Sequence, residues 1–359
     1  MPLQQIETKY RNWWSKLLFQ KKFEEQFYIA SPPSFLERFI LGSVERLFID
    51  DSYKDIEIEK PIFIVGLPRS GTTLLYNLVA FHEYGAYVTN SMNNVPNHIR
   101  GIEWLRKNLK LNVSGERFFK DSVETNLGSP SEPIMLWGKW FERDVDSLYW
   151  EPLSAKKLGT KHIEIIKNDI RKIISTFGKT PTRFVCKYPV MQPDLVVLQE
   201  IFPDAKFIHI VRDPRAVANS LIKLHKLSNE QLQKINHPLL KSIVPYPRVK
   251  NLQHWLEKYG PDNLICTSHI WNDSIELVHQ QSCELKNFYE IRYEDLLTSP
   301  ENVMQSLFQF CDLPYPSVQN LKYQKEFKKI GQIFHKNNYK GFDLITRICN
   351  PLMEHFKYV

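Results

Sequence analysis

The sequence predicts an α/β fold in which a mainly parallel β-sheet is flanked by helices. Short apolar segments at Pro61–Val65, Arg183–Lys187 and Lys206–Val211 are typical of buried strands. After each of them comes a turn and then a stretch with the apolar spacing of a helix. Because strands that alternate with helices pair in parallel through crossover connections, we expect one sheet, which Phe288–Tyr293 extends.

The apolar periodicity also places the helices of this fold. A polar, aromatic and proline-containing stretch, residues 85–155, interrupts the pattern and is expected to form loops and short helices. No repeat or low-complexity linker divides the chain. The predicted helices are Gly71–Phe81, 161–178, Asp194–Ile201, Pro214–Lys226, 247–259 and Pro300–Cys311.

The predicted organisation is an N-terminal helical extension followed by one domain with a final helix. Residues 1–58 have amphipathic helical spacing, and Pro32 and Pro33 divide them into two helices. Residues 59–359 form the domain, and 85–155 is an insertion within it rather than a second domain.

Composition limits the class of protein and the kinds of partner. The 359 residues carry 47 basic and 40 acidic side chains, a net charge of +7 that mildly favours an anionic ligand. No run of Lys and Arg resembles a nucleic-acid-binding stripe, so we expect no nucleic-acid partner. The first 25 residues carry charged side chains throughout and contain no uninterrupted apolar stretch, so we expect neither a signal peptide nor a membrane span there.

The five cysteines are scattered and include no CxxC pair. This pattern favours buried, reduced thiols over a disulfide framework or a zinc site. We therefore expect a cytoplasmic protein without a metal-ligand cluster.

The first candidate site is a glycine-bounded loop between a strand and a helix, within Ile62–Thr73. Unpaired N–H groups and the helix dipole make such a helix N-terminus bind anions, and Gly66 and Gly71 allow close approach. Their spacing matches a Walker A loop, but Thr72 stands in place of the lysine and the nearest cation is Arg69. The loop thus disfavours an ATP or GTP phosphotransferase. A turn that only connects strand to helix is the alternative.

The segment Pro68–Thr73 after an apolar strand resembles the 5′-phosphosulfate loop of the PAPS-dependent sulfotransferases (PAPS is 3′-phosphoadenosine 5′-phosphosulfate). Its arginine is typical of the protein-tyrosine, carbohydrate and many bacterial branches. The resemblance covers roughly residues 60–350 and implies a P-loop-type α/β domain with PAPS as donor and no metal. It assigns the donor's 5′-phosphosulfate to Pro68, Arg69, Ser70, Gly71, Thr72 and Thr73.

The second candidate site is the strand–turn–helix segment Phe207–Ile222. Asp213 is a favourable helix N-cap and Pro214 a favourable first helical residue. Arg212 at the strand end, followed eight residues later by Ser220, resembles the family's 3′-phosphate motif. An arginine suits a phosphate because its guanidinium donates two parallel hydrogen bonds, and Ser220 can add a hydroxyl donor. The alternative is that Arg212 pairs with a carboxylate and Ser220 is a buried helix hydroxyl.

A third group resembles the protein-tyrosine branch more specifically. Cys186–Pro189 and Phe202–Phe207 match segments of that branch, in which the lysine lies near the transferring group. The resemblance gives this role to Lys187, and a solvated strand-end lysine is the alternative. Arg69 and Lys187 would then stabilise the charge that develops during sulfuryl transfer. Tyr289–Leu296 matches a further family signature, expected to fix the sheet edge through Tyr293 and Glu294.

The general base does not follow the same branch. Protein-tyrosine sulfotransferases carry a catalytic glutamate shortly after the loop, whereas Ala86–Ser91 contains no carboxylate or histidine. Glu132 resembles the glutamate that precedes an apolar helix in bacterial relatives, and it is our candidate base. Glu124, Asp121 and His82 remain alternatives.

The expected function is in-line transfer of a sulfuryl group from PAPS to a hydroxyl of a carbohydrate, lipid or small molecule. Two other hypotheses stay open at this point: a P-loop kinase, and a non-catalytic nucleotide- or sulfate-binding relative. Aromatic residues of the 85–155 region are expected to contribute acceptor contacts as a group: Tyr87, Trp137, Trp140, Phe141, Tyr149 and Trp150.

Overall fold

A computed structural model gives the fold of most of the chain. Much of the predicted N-terminal extension, residues 1–34, lies outside the residues that it describes, and the remainder holds helix α1 (Phe35–Phe48). The described residues are 35–110, 114–116, 124–144, 146–178, 183–235, 242–331 and 339–359.

A five-stranded, wholly parallel sheet forms the centre of the domain, in the order β2-β5-β1-β6-β7. The strands predicted from sequence are confirmed, and β5 and β6 have the predicted bounds. Strand β2 was missed because it is short and begins with a glycine, so it carries little β-propensity. The strands are β1 (Ile62–Val65), β2 (Gly85–Tyr87), β5 (Arg183–Lys187), β6 (Lys206–Val211), β7 (Phe288–Arg292) and the antiparallel pair β3 (Ser114–Glu116) and β4 (Glu124–Asn126).

Helices cover both faces of this sheet. Those around the insertion and the sheet are α2 (Thr72–Ala80), α3 (Asn90–Asn94), α4 (Ile99–Asn108), α5 (Ile134–Phe141), α6 (Ala155–Leu158), α7 (Thr160–Ser175) and α8 (Leu195–Ile201). Those of the second half are α9 (Pro214–Ile235), α10 (Leu252–Tyr259), α11 (Leu264–Ser282), α12 (Tyr293–Thr298), α13 (Pro300–Phe310), α14 (Leu321–Phe327) and α15 (Phe342–His355). Short 3₁₀ turns occupy Ser52–Asp55 and Gln192–Asp194.

Several of these helices differ from the prediction. Helix α10 begins at Leu252 rather than at residue 247, and α14 was not predicted. Helix α9 continues to Ile235 instead of ending at Lys226, and α11 was not predicted at all. Helix α11 contacts α9, α10 and α15. Because several of its faces are buried, its apolar residues do not form the one-sided stripe by which helices are recognised in a sequence.

The strands alternate their side chains between two apolar cores. In β1, Phe63 and Val65 pack into one core, whereas Ile62 and Ile64 pack into the other. The first core includes residues of α5, α7 and α8, and the second includes residues of α2 and α13. The central strands are therefore buried on both sides and hold their carboxyl ends rigidly.

The strand order locates the candidate site. From β1 the chain adds strands on both sides, β5 and β2 to one side and β6 and β7 to the other. In open parallel sheets, ligands bind where the winding direction changes, beyond the carboxyl ends of the strands. Lys187 ends β5, the glycine-bounded loop follows β1, and Arg212 follows β6. All three predicted motifs thus meet at one crevice.

A buried acid supports the wall of this crevice behind β5. The Asp194 carboxylate is fully buried and accepts hydrogen bonds from Arg143 and from Trp137 Nε1, the latter at 2.8 Å. The Trp137 ring lies 5.4 Å from that of Tyr188, the neighbour of Lys187. Burial raises the pKa of Asp194, and its bonds to Arg143 and Trp137 oppose the rise.

Replacing Arg143 by Ala should destabilise the domain strongly. The change leaves the Asp194 carboxylate buried without its cation. We therefore expect the free energy of unfolding, measured in urea, to fall by about 3–5 kcal/mol. Since a buried carboxyl with a raised pKa is disfavoured as an anion, the loss should shrink as the pH falls and Asp194 takes up a proton.

The matched control is Lys157→Ala, which removes the exposed ion pair between Lys157 Nζ and Glu151 Oε2, whose atoms lie 2.7 Å apart. Its effect should stay within about 0.5 kcal/mol. Equal losses in the two variants would contradict the role given to the buried pair.

Candidate active site

The glycines at the two ends of the loop after β1 are required by close contacts. A Cβ on Gly66 would lie 2.5 Å from the Ile210 carbonyl oxygen. Gly71 has a φ of 86°, and a Cβ there would lie 2.3 Å from the ring of Tyr293. Only glycine fits either position, so the loop is pressed against β6 at one end and against the residue after β7 at the other.

Inside the loop, the backbone and a buried hydroxyl are arranged for an anion. The hydrogen bond from Leu75 N–H to Gly71 O, at 3.1 Å, begins the helical bonding of α2. The N–H groups directly before Leu75 therefore have no acceptor within the helix. Ser70 is fully buried, and within the described part of the chain its Oγ has no hydrogen-bond partner. Because an unpaired buried hydroxyl is costly, a bound oxyanion would complete this loop.

The two predicted phosphate motifs contact each other directly. Arg69 Nε donates to Ser220 Oγ at 3.0 Å, and Arg212 Nη1 donates to the Arg69 carbonyl at 2.9 Å. The Arg212 guanidinium also lies over the Tyr293 ring, 4.6 Å from its centroid. The loop, the end of β6 and helix α9 therefore form one cationic site, in which Tyr293 supports both Gly71 and Arg212.

Lys187 is buried rather than solvated, with 3% of its side chain exposed. Its ammonium forms an ion pair with the Glu132 carboxylate and lies 3.4 Å from Thr73 Oγ1. It also lies 5.9 Å from the centre of the Tyr76 ring. Sequence reasoning missed Tyr76, although its spacing from Thr73 along α2 would have placed both on one helix face.

The segment that lacks the expected glutamate instead packs on another carboxylate. Thr89 Oγ1 donates to Glu103 Oε1 at 2.6 Å, and Ser91 Oγ also donates to it. Burial would raise the pKa of Glu103, but the adjacent Arg106 and the two hydroxyls outweigh it and lower that pKa. Glu103 is thus a saturated structural anion, and sequence reasoning missed it because it comes from α4.

The other candidate bases are not brought to Lys187 in the same way. His82 is buried beyond the far end of α2, where its Nε2 lies 2.8 Å from the Pro314 carbonyl oxygen and its Nδ1 accepts from Tyr84 N–H. Glu124 lies in the small β3–β4 pair. Asp121 lies outside the described residues. Glu132 is the candidate that contacts Lys187.

A carboxylate connects the end of β6 to the chain terminus. As predicted, Asp213 caps α9: its Oδ1 accepts from Arg215 N–H at 2.8 Å. Glu294 accepts from the Asp213 N–H at 3.1 Å and from Tyr358 Oη at 2.9 Å. The turn that carries Arg212 is therefore held from both sides.

The aromatic residues of the 85–155 region pack mainly in the core. Among the six residues expected to contact the acceptor, Tyr149 is the exposed one, with 40% of its surface accessible. The buried ones are Tyr87, Trp137, Trp140, Phe141 and Trp150. Their large apolar surfaces stabilise the insertion against the sheet.

Comparison with known proteins agrees with this geometry. A family model described as the sulfotransferase family matches residues 61–317, well over half of the chain. This chain belongs to the sulfotransferase family. As a PAPS-dependent sulfotransferase it transfers a sulfuryl group from PAPS to an acceptor hydroxyl.

Individual relatives span most of this sulfotransferase. The omega-hydroxy-beta-dihydromenaquinone-9 sulfotransferase Stf3 of Mycobacterium tuberculosis is 27% identical over 319 residues, or 84% of this chain and 76% of the relative. The protein-tyrosine sulfotransferase of Drosophila melanogaster is 22% identical over 76% of this chain and 42% of its own length. The crystal structure of sulfotransferase STF9 from Mycobacterium avium has a TM-score of 0.54 at 16% identity, covering 89% and 82% of the two chains.

Two further sequence expectations concern the cysteines and the membrane. All five cysteines lie in the described residues and are unpaired, and Cys283 is the exposed one. Within the described ranges, no helix has both the length and the apolar character needed to cross a bilayer.

Substituting Gly71 by Ala should weaken nucleotide binding by this sulfotransferase. The new methyl group would displace Tyr293 and with it Arg212, so we expect the affinity for adenosine 3′,5′-bisphosphate to fall by about tenfold or more. Titration calorimetry measures this change.

Gly260→Ala is the control because Gly260 also has a positive φ, 77°, but open space around its Cβ. It should cost about 1 kcal/mol of stability and leave the affinity unchanged. A similar loss of affinity in both variants would show that backbone strain, not the contact with Tyr293, is responsible.

Proposed function

We propose that the crevice beyond β5, β1 and β6 binds PAPS and that its own side chains perform the transfer. The loop Pro68–Thr73 holds the 5′-phosphosulfate, and Arg212 with Ser220 holds the 3′-phosphate. The observation that carries this proposal is the direct contact of the two motifs, Arg69 with Ser220 and Arg212 with the Arg69 carbonyl. This cationic site matches a nucleotide with phosphates at two ends of one ribose.

Catalysis rests on fixed positive charge. As the acceptor oxygen attacks sulfur and the phosphate leaves, negative charge develops on the bridging and sulfuryl oxygens. Arg69 and Lys187 stabilise this charge, and the N–H groups of the loop add hydrogen bonds. These cations take the place that a metal ion has in phosphoryl transfer, so we propose that the reaction itself needs no metal.

Glu132 is the proposed general base. Its carboxylate is partly exposed, pairs with Lys187 and belongs to the 85–155 insertion. When the donor arrives, its sulfuryl oxygens compete with Glu132 for the Lys187 ammonium. The carboxylate is then available to accept the proton of an acceptor hydroxyl that approaches from the insertion.

We further propose that the acceptor is a hydroxylated lipid or small molecule rather than a protein tyrosine or a nucleic acid. The mycobacterial relative, which spans most of this chain, is named for a hydroxylated dihydromenaquinone. The segment Ala86–Ser91 lacks the glutamate of the protein-tyrosine branch. The five unpaired cysteines support a reducing compartment, and we propose the cytoplasm.

The donor assignment is tested by Arg212→Ala. Loss of the guanidinium removes its hydrogen bonds to the 3′-phosphate, so affinity for adenosine 3′,5′-bisphosphate should fall by about 10–100-fold, from about 1.5–3 kcal/mol. Calorimetry of the unmodified protein should show tighter binding of this nucleotide than of ATP.

Arg183→Ala is the control, because Arg183 begins β5 at the opposite, amino end of the same sheet. It should leave nucleotide affinity unchanged. Tighter binding of ATP, or full affinity in Arg212→Ala, would overturn the donor assignment.

The base assignment is tested by Glu132→Gln in assays with radiolabelled PAPS and a panel of hydroxylated lipids, sugars and phenols. Removing the base should lower kcat by about 10²–10⁴-fold. Binding of adenosine 3′,5′-bisphosphate should persist.

Glu257→Gln, on the exposed face of α10 beside Gln253, serves as control and should keep full activity. An unchanged kcat in Glu132→Gln would assign the base elsewhere. If the unmodified protein binds the nucleotide but transfers to no acceptor of the panel, the proposed acceptor class is wrong.

A further inference from the structure

A cluster of nitrogen and oxygen ligands lies at the edge of the sheet, where the donor mechanism does not use it. His209 of β6 and Glu290 of β7 are partners in the parallel register. His279, from the last turn of α11, completes the cluster. These residues come from three separate elements, so the fold and not the local sequence brings them together.

The cluster has the spacing of a metal site. Glu290 Oε2 lies 2.7 Å from His209 Nδ1 and 3.0 Å from His279 Nε2. The ligand atoms of the three residues all lie within 4.8 Å of one another. Three donors about 2.1 Å from a common zinc ion lie roughly 3.4 Å apart, so small side-chain movements would admit the ion.

The ligand types of the cluster also suit a cation. Two imidazole nitrogens and one carboxylate oxygen are donors that a divalent transition metal accepts, and each binds the metal in its deprotonated form.

The surroundings provide both an apolar wall and an open side. The rings of Phe288 and Phe356 lie 6.1 Å from His209 and 5.8 Å from His279, respectively. On the other side, His355 Nε2 lies 3.9 Å from Glu290 Oε1, and 59% of the His355 side chain is exposed. An ion has a path from solvent there, and water or His355 can occupy a fourth position.

We propose that His209 Nδ1, His279 Nε2 and Glu290 Oε2 form a binding site for a divalent transition metal, with Zn²⁺ as the best match. Two imidazoles and one carboxylate, with no sulfur, suit zinc and disfavour calcium or magnesium, which take oxygen ligands. With Nδ1 bound to the metal, the neutral His209 ring carries its proton on Nε2, which is buried and makes no hydrogen bond with the described residues.

The site would fasten the C-terminal segment to the edge of the sheet. It joins β6 and β7 to α11, and His355 ends α15 beside it. A few residues later, Tyr358 bonds Glu294, which accepts from Asp213 next to Arg212. Zinc therefore has a structural role that is separate from sulfuryl transfer, and the proposal does not depend on the donor chemistry.

The test uses the full chain without a polyhistidine tag, stripped with a chelator and titrated with Zn²⁺ against a chromogenic indicator. We expect one zinc ion per chain and a higher Tm in zinc, because the ion binds the folded state preferentially. X-ray absorption of the zinc-loaded protein should show nitrogen and oxygen ligands, including imidazole, and no sulfur.

His279→Ala and Glu290→Gln should each weaken zinc binding by about 100-fold and remove the Tm shift. His225→Ala is the matched control, because His225 pairs with an exposed carboxylate, Asp262, at 3.1 Å, and it should bind zinc normally. Circular dichroism and nucleotide binding in chelator verify that each variant is folded. Failure of the stripped protein to bind zinc, unchanged affinity in folded His279→Ala, or sulfur among the ligands would overturn the proposal.

Discussion

The hydrogen bond from Arg212 to the carbonyl of Arg69 is the contact on which the proposed donor site depends. It joins the loop after β1 to the end of the neighbouring strand β6 and so sets the distance between the two phosphate motifs. The bond requires a loop that lies flat against β6, which Gly66 permits by approaching the Ile210 carbonyl. It also requires that the Arg212 guanidinium is held in place, and the Tyr293 ring does this by packing against its face. Parallel pairing of β1 with β6 and of β6 with β7 brings all these groups to one edge.

The pair of Lys187 and Glu132 adds an electrostatic constraint. A lysine buried at the end of a central strand is stable as a cation only beside an anion, and in the donor-free protein Glu132 provides it. A sulfuryl group with negative oxygens is an equivalent partner, so the donor can replace the carboxylate without leaving the ammonium unpaired. In the mechanism we propose, the same exchange places the Lys187 cation at the transferring group and frees the Glu132 carboxylate to act as the base. The ion pair of the buried Lys187 with Glu132 is therefore better explained by a role in function than by a contribution to the stability of the fold.

The sequence predicted those features that local chemistry determines. Apolar β-branched runs located the strands, and the glycine positions in Ile62–Thr73 located the tight loop between β1 and α2. What it did not predict depends on contacts between distant elements. Tyr293 meets Gly71 only because β7 and β1 end at the same edge, and Glu103 meets Thr89 only through the packing of α4. Helix α11 was missed because burial on several faces removes the one-sided apolar pattern. The His209–His279–Glu290 cluster was not predicted because its members lie on three separate elements, β6, α11 and β7, that only the fold brings together.

The position of Glu132 connects the donor half of the site to the acceptor half. In the protein-tyrosine branch, the sequence pattern places the base in the segment directly after the loop helix, but here Thr89 and Ser91 of that segment bind the structural carboxylate Glu103. In our proposal the insertion supplies Glu132 as the base instead. Glu132 lies just before α5, whose tryptophans are buried in the core beside the sheet. With Glu132 as the proposed base, the acceptor hydroxyl has to reach the insertion. We therefore propose that the insertion, and not the donor loop, determines acceptor specificity.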